Sequence, residues 1–245
     1  MKGLEVEDFV VFAQPRTGTN ALIARLNRHE KILCHYELFH PKEIYYCENK
    51  LDKAVLNNHE MRSLEFRDKN VGKFLSYLSS SKEDRLFGYK IFSHHNPSLM
   101  KERAENRLLK KIIVYRANLL DQYISTEIAL STNAYTYKEE AKDISKVAEF
   151  NYSKFLRFVA EERKILNYYV SVSVGDVFLL EYTSAVMGSL VDLFEFLGLD
   201  QKGGPTEESS SFKKQNSYKT RDKVINFDEV VESLKDSEFE WMIVD

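Results

Sequence analysis

An α/β fold in three layers, with helices on both faces of a mostly parallel sheet, is what this sequence predicts. Three observations carry that expectation. Short apolar runs rich in β-branched and aromatic residues recur along the chain, and helical patterning fills the intervals between them. The first run, Phe9 to Ala13, also leads straight into a Gly-containing turn that opens a helix.

The elements follow in order. Phe9–Ala13 reads as a buried strand, and the helix after it carries Leu22 and Leu26 on one face before fading near Asn27-Arg28-His29. Ile32-Leu33-Cys34 reads as a second short strand. Residues 50 to 85 show helical patterning at Val71, Phe74, Leu75 and Leu78. Leu86–Phe92 is the next strand, Pro97 to Arg107 a helix, and Lys111–Tyr115 a further strand. Helices then run from Leu119 to about Tyr169, with Val147, Phe150, Phe155, Phe158 and Val159 as a buried stripe. Val177–Glu181 is a last strand, followed by one helix to Leu197 that Gly198 stops. Residues 201 to 220 are polar, contain Gly203-Gly204-Pro205 and a serine run, and read as a long loop.

With 43% hydrophobic residues, the 245-residue chain is expected to form a single domain over residues 1–245. A net charge of -3 gives no global positive field and argues against a nucleic-acid partner, so any anion site must be local. The first eight residues hold no apolar h-region and no run approaches a bilayer span, which leads us to expect a cytoplasmic protein without a transmembrane segment. Cys34 and Cys47 are then expected as free thiols. Cys34, His35, His40 and Cys47 lack paired chelate spacing, so no metal is expected.

The turn Gln14-Pro15-Arg16-Thr17-Gly18-Thr19-Asn20 has the makings of an anion site. First-turn amides of a helix point outward unpaired, and the helix dipole favours negative charge there. Gly18 allows close approach, Thr17 and Thr19 add hydroxyls, and Arg16 adds a fixed charge. An ordinary strand–helix turn is the plain alternative. A nucleoside-triphosphate loop would carry G-x-x-x-x-G-K-[ST], but here the helix opens Gly18-Thr19-Asn20-Ala21, without the Lys or the magnesium-binding hydroxyl.

The segment Pro15 to Asn20, placed after an N-terminal strand, resembles the 5′-phosphosulfate loop of sulfotransferases that use 3′-phosphoadenosine 5′-phosphosulfate. It is especially similar to bacterial carbohydrate sulfotransferases of the nodulation-factor and trehalose type. The resemblance implies that Arg16 contacts the 5′-phosphate and bridging oxygen, with Thr17, Gly18, Thr19 and Asn20 beside it. It implies a 3′-phosphate grip by Arg116 and Ser125, which stand one position further apart than in many members. Gly88 to His95 resembles the family strand that carries a Lys and ends in a His near the acceptor. Phe178–Tyr182 and Leu193–Leu199 resemble its late strand and helix. Lys213, Lys214 and Gln215 fall where the family closes a basic segment over the nucleotide, within the loop of about 201–220.

For the base that activates an acceptor hydroxyl, two candidates remain open. Glu37 matches the glutamate of the bacterial branch, and His95 matches the histidine of the cytosolic branch. Glu37 is favoured, with His95 binding or orienting the acceptor. The implied acceptor is a carbohydrate or glycolipid hydroxyl, and a homo-oligomer is left open. A small-molecule kinase with a divergent loop and a catalytically silent nucleotide-binding protein are the competing readings.

Overall fold

The computed structural model describes residues 7–132, 148–200 and 219–243. The chain divides into two compact units: Met1–Gln14, Gly18–Tyr115 and Tyr168–Ser209 form the first, and Pro15–Thr17, Arg116–Asn167 and Ser210–Asp245 the second.

The first unit contains five strands, β1 (Phe9–Ala13), β2 (Ile32–Glu37), β3 (Leu86–Phe92), β4 (Lys110–Tyr115) and β5 (Val177–Glu181). All pairings are parallel, in the order β2-β3-β1-β4-β5. The chain leaves β1 for one side of the sheet, returns to it through β3, and then crosses to β4 on the other side. Ligand crevices in open parallel sheets open at such a reversal, beyond the carboxyl ends of the strands. Phe9 to Ala13 are each 0% exposed, as a central strand covered on both faces requires.

Alternation along β1 sends its side chains to two different packing layers. Phe9, Val11 and Ala13 join Leu22, Ile23 and Leu26 of α1 (Thr19–Leu26), Ala185 of α8 (Tyr182–Val186), and Leu193, Phe194 and Leu197 of α9 (Val191–Leu197). On the opposite face Phe12 stacks on Tyr169 of α7 (Tyr152–Val172), with centroids 5.4 Å apart. Tyr89 there packs on Phe39, which meets Phe74 of α4 (Val71–Ser79) edge-on. The expected α/β arrangement, with helices on both faces, is therefore the one observed. The helices α2 (Lys53–Asn57), α3 (Leu64–Lys69) and α5 (Pro97–Glu105) complete this unit.

Two elements differ from the sequence expectation. β2 continues past Cys34 to Glu37, and its register against β3 shifts between His35 and Glu37. That bulge takes up Tyr36 and brings Glu37 opposite Lys90. The single helix expected after β5 is two, α8 and α9. Arg25 caps the end of α8, donating from its guanidinium to Ser184 O and Ala185 O at 2.9 Å and to Gly188 O at 2.5 Å. The cation from α1 thereby satisfies carbonyls that a helix end leaves without an intrahelical partner. Gly198 then caps α9 in the left-handed region, φ 81°, as expected.

The second unit is helical. Leu120, Tyr123, Ile124 and Ile128 of α6 (Leu119–Thr132) pack with Phe150, Phe155 and Val159 of the expected stripe, Phe158 is partly buried against them, and Val147 lies outside the described residues. Val224, Phe227, Val230 and Leu234 close this core from α11 (Phe227–Leu234) and from the residue after α10 (Thr220–Lys223).

Gly88 lies on β3 where a Cβ would sit 2.5 Å from the Phe9 ring. Gly88→Ala is expected to cost about 1–3 kcal/mol by overpacking, read as a lower denaturant midpoint with an unchanged m-value.

Candidate functional site

The loop after β1 contains two left-handed residues, Arg16 at φ 66° and Gly18 at φ 75°. Gly18 precedes α1, and a Cβ there would lie 2.5 Å from Val186 Cγ2 and 2.8 Å from the Tyr182 ring. Both the backbone angle and the space therefore require glycine. No side chain caps α1 at Gly18, while Leu22 N–H closes the first turn onto Gly18 O at 3.1 Å. Upstream, Gln14 Nε2 donates to Ser93 Oγ at 2.8 Å and to Tyr169 Oη at 3.1 Å, and Tyr169 Oη donates to Ala13 O at 2.9 Å. These bonds fix the end of β1 against the end of β3. Thr17 and Thr19 are 2% and 4% exposed.

Within the first unit, the carboxyl ends of β2 and β3 bring together Glu37, Lys90, His95 and Asn20. Lys90 is 1% exposed, and its Nζ lies 2.8 Å from Glu37 Oε1 and donates to Asn20 Oδ1 at 2.6 Å. Burial lowers the proton affinity of this ammonium, and the Glu37 carboxylate acts against that shift. Lys90 therefore ties the end of β2 to the first turn of α1.

His95 has a side chain 1% exposed, and its Nε2 lies 3.7 Å from Glu37 Oε2. Its pKa is lowered to about 3, first by burial and then by His94, His40, Lys90 and Arg67. The ring is neutral near pH 7, so this approach is not an ion pair, and it is too long for a hydrogen bond. Nδ1 accepts from Phe92 N–H at 3.4 Å, which assigns the proton to Nε2. That Nε2 is buried without a hydrogen-bond partner. A neutral N–H donor and a carboxylate oxygen thus stand side by side, the pair a hydroxyl needs to be both bound and deprotonated. Arg67, 3% exposed, donates to Leu38 O at 3.1 Å and His40 O at 2.8 Å and so holds the segment that follows Glu37.

The second unit carries the other predicted groups. Arg16 Nε donates to Ser125 Oγ at 2.8 Å, and Arg116 Nη1 reaches Arg16 O at 3.4 Å. Arg116 Nη2 also pairs with Asp121 Oδ2 at 2.9 Å, and Thr220 Oγ1 donates to Asp121 Oδ1 at 2.9 Å. Arg16, Arg116 and Ser125 are thus brought together, as are Glu37 and His95 in the first unit. Lys213, Lys214 and Gln215 lie outside the described residues.

Sequence reasoning gave no site role to Lys90, Arg67 or Asp121. Lys90 stands in a segment noted only for its resemblance, and a lysine within an apolar run was the available signal. Asp121 reads from sequence as an ordinary first-turn acid of α6. Among the described residues no group of three or more His, Cys, Asp or Glu is placed to hold a metal ion, and Cys34 and Cys47 are buried free thiols. No helix among those residues is long and apolar enough to cross a membrane.

The fold is α/β, with a strand–loop–helix turn after its first strand. No family model matches the chain. Over 116 residues it is 34% identical to Nodulation protein H of Rhizobium tropici, a match that takes in 46% of this chain and 43% of that protein. The chain therefore spans less than half the length of the curated relative it matches. A sulfotransferase from Alicyclobacillus acidocaldarius superposes with a TM-score of 0.47 at 14% identity, over 83% of this chain and 85% of that one. The sulfotransferase domain of the Synechococcus PCC 7002 olefin synthase gives 0.46 at 17% identity, over 81% of this chain and 77% of that one.

Lys90→Met leaves the Glu37 carboxylate without its buried cation. A loss of about 3–5 kcal/mol is expected by denaturant unfolding, partly recovered in Lys90→Met/Glu37→Gln. His95 offers a pH test. Its folded pKa of about 3 lies below the ordinary 6.5, so the unfolded chain binds more protons between those values and stability falls as pH drops through that window. Melting of His95→Gln beside the parent protein from pH 7 to pH 4 is expected to show a shallower decline in the variant.

Proposed function

We propose that the protein is a sulfotransferase that moves a sulfuryl group from 3′-phosphoadenosine 5′-phosphosulfate to a hydroxyl of a carbohydrate or glycolipid. The single observation that carries this reading is the Glu37–His95 arrangement. A carboxylate has one oxygen on Lys90 and the other beside an unpartnered imidazole N–H, at the carboxyl ends of β2 and β3. Support comes also from the loop motif and from the 34% identity to Nodulation protein H over 116 residues.

In this reading Glu37 Oε2 accepts the proton of the acceptor hydroxyl while His95 Nε2–H donates to the same oxygen and orients it. The acceptor oxygen attacks sulfur in line, the bond from sulfur to the bridging oxygen breaks, and its electron pair stays on the 5′-phosphate. Arg16 and the amides of its loop take up the charge that develops on that oxygen. Arg116 and Ser125 hold the 3′-phosphate. Lys213, Lys214 and Gln215 are proposed to bind the nucleotide. No metal is required, because fixed cations and amides supply the charge stabilisation.

Calorimetry supplies the test. Adenosine 3′,5′-bisphosphate is expected to bind, and to bind more tightly than ATP with magnesium; the reverse preference sinks the proposal. Glu37→Gln is expected to keep bisphosphate affinity within about twofold and to lose turnover by a factor of roughly 10² to 10⁴, measured as labelled sulfate transferred to a glycan panel. Normal turnover in that variant overturns Glu37 as the base.

A further inference from the structure

Residues 15 to 17 of the loop belong to the second unit, and one side chain there grips the main chain. Gln122 of α6 is 1% exposed and donates through Nε2 to Pro15 O at 3.0 Å and to Glu162 Oε2 of α7 at 2.9 Å. Both of its amide protons are thereby used, and its Oε1 is buried without a partner. Ser125 stands three residues further along α6, on the same face, and takes Arg16 Nε. One helix face therefore holds both the carbonyl of Pro15 and the side chain of Arg16.

A trans peptide is planar, with its C=O and N–H pointing to opposite sides. Fixing Pro15 O therefore fixes the direction of Arg16 N–H, the amide of a residue already in the left-handed region. Non-glycine residues persist there only when their surroundings over-determine them. Gln122 on Pro15 O, with Arg116 on Arg16 O, is the main-chain part of that determination, and Glu162 is hydrogen-bonded to Gln122 in turn.

We infer that Gln122 and Glu162 form a proton-linked brace that fixes the Pro15–Arg16 peptide and makes the loop's affinity for an anionic nucleotide depend on the charge of Glu162. The nucleotide half of this rests on the donor reading above; the brace does not. Burial, aided by Glu161, pushes the Glu162 carboxyl up to about 7, against the hydrogen bond from Gln122. The other charges around the pair are engaged elsewhere: Arg163 on Glu238, Lys164 on Glu161, Arg16 on Ser125 and Arg116 on Asp121. An anion arriving at the loop disfavours a carboxylate behind it, so binding takes up a proton from solvent onto Glu162 and weakens as pH rises. Gln122 and Glu162 are positioning residues, acting through the Arg16 amide.

The experiment measures adenosine 3′,5′-bisphosphate binding by calorimetry at pH 6, 7 and 8 for the full chain, E162Q and Q122M. A carbon-13 titration of the Glu162 carboxyl in the nucleotide-free protein accompanies it. The ratio of Kd at pH 8 to Kd at pH 6 is expected to be about tenfold larger in the parent protein than in E162Q. Titration of the nucleotide's own phosphates is common to both proteins and cancels. Q122M is expected to weaken binding at every pH and to move the Glu162 midpoint upward, since it removes the hydrogen bond that favours the carboxylate. Equal pH slopes in two proteins that bind overturn the coupling. An ordinary glutamate midpoint, or one that Q122M leaves in place, overturns the brace. No binding by any of the three overturns the donor reading, and the brace is then judged by the titration alone.

Discussion

A lysine ammonium withdrawn from water must meet an anion and hydrogen-bond acceptors, or the fold loses several kcal/mol. Lys90, inside β3 and next to the central strand, imposes that constraint on everything around it. Its partners are Glu37, reached only because β2 bulges at Tyr36, and Asn20 in the first turn of α1. One buried cation therefore sets where β2 ends, which way its last carboxylate faces, and how α1 begins. His95 completes the group from the far end of the same strand, kept neutral by its burial and by the cations and imidazoles around it. A charged imidazole there would pair with Glu37.

The second unit handles charge differently. Its cations are held by short polar side chains and a partly exposed acid: Arg16 by Ser125, Arg116 by Asp121, and Asp121 in turn by Thr220. Guanidinium groups kept in place by such contacts lose little further freedom when an anion arrives.

What could be read from the sequence was local. Phe9–Ala13 and Leu86–Phe92 were legible as strands because burial on both faces leaves a nearly continuous apolar run, and Val177–Glu181, an edge strand with Leu179 exposed, was legible from its apolar composition alone. The loop was legible because glycine, hydroxyl and arginine chemistry lies within a few residues of a strand end. Contacts made across the fold were not legible. The extension of β2 carries His35 and Tyr36 and a bulge, which hide its period of two. The end of α8 is capped by Arg25, a residue of a different helix far away in the chain. Glu37 and His95 could be named individually from their motifs, but their approach depends on β2 and β3 being neighbours. Gln122 and Glu162 carried no signal, since each sits at an unremarkable position on a helix.

The strand order has a consequence for synthesis. β1 is made first, yet its two neighbours are β3 and β4, and β2 pairs only with β3. Until the ribosome has delivered Leu86 to Phe92, the run Phe9–Ala13 has nothing to pair with, and its five apolar side chains stay open to water or to a chaperone. Gly18 must wait longer still for Tyr182 and Val186, against which it packs. The loop at the front of the chain is therefore among the last parts of the molecule to reach its final shape.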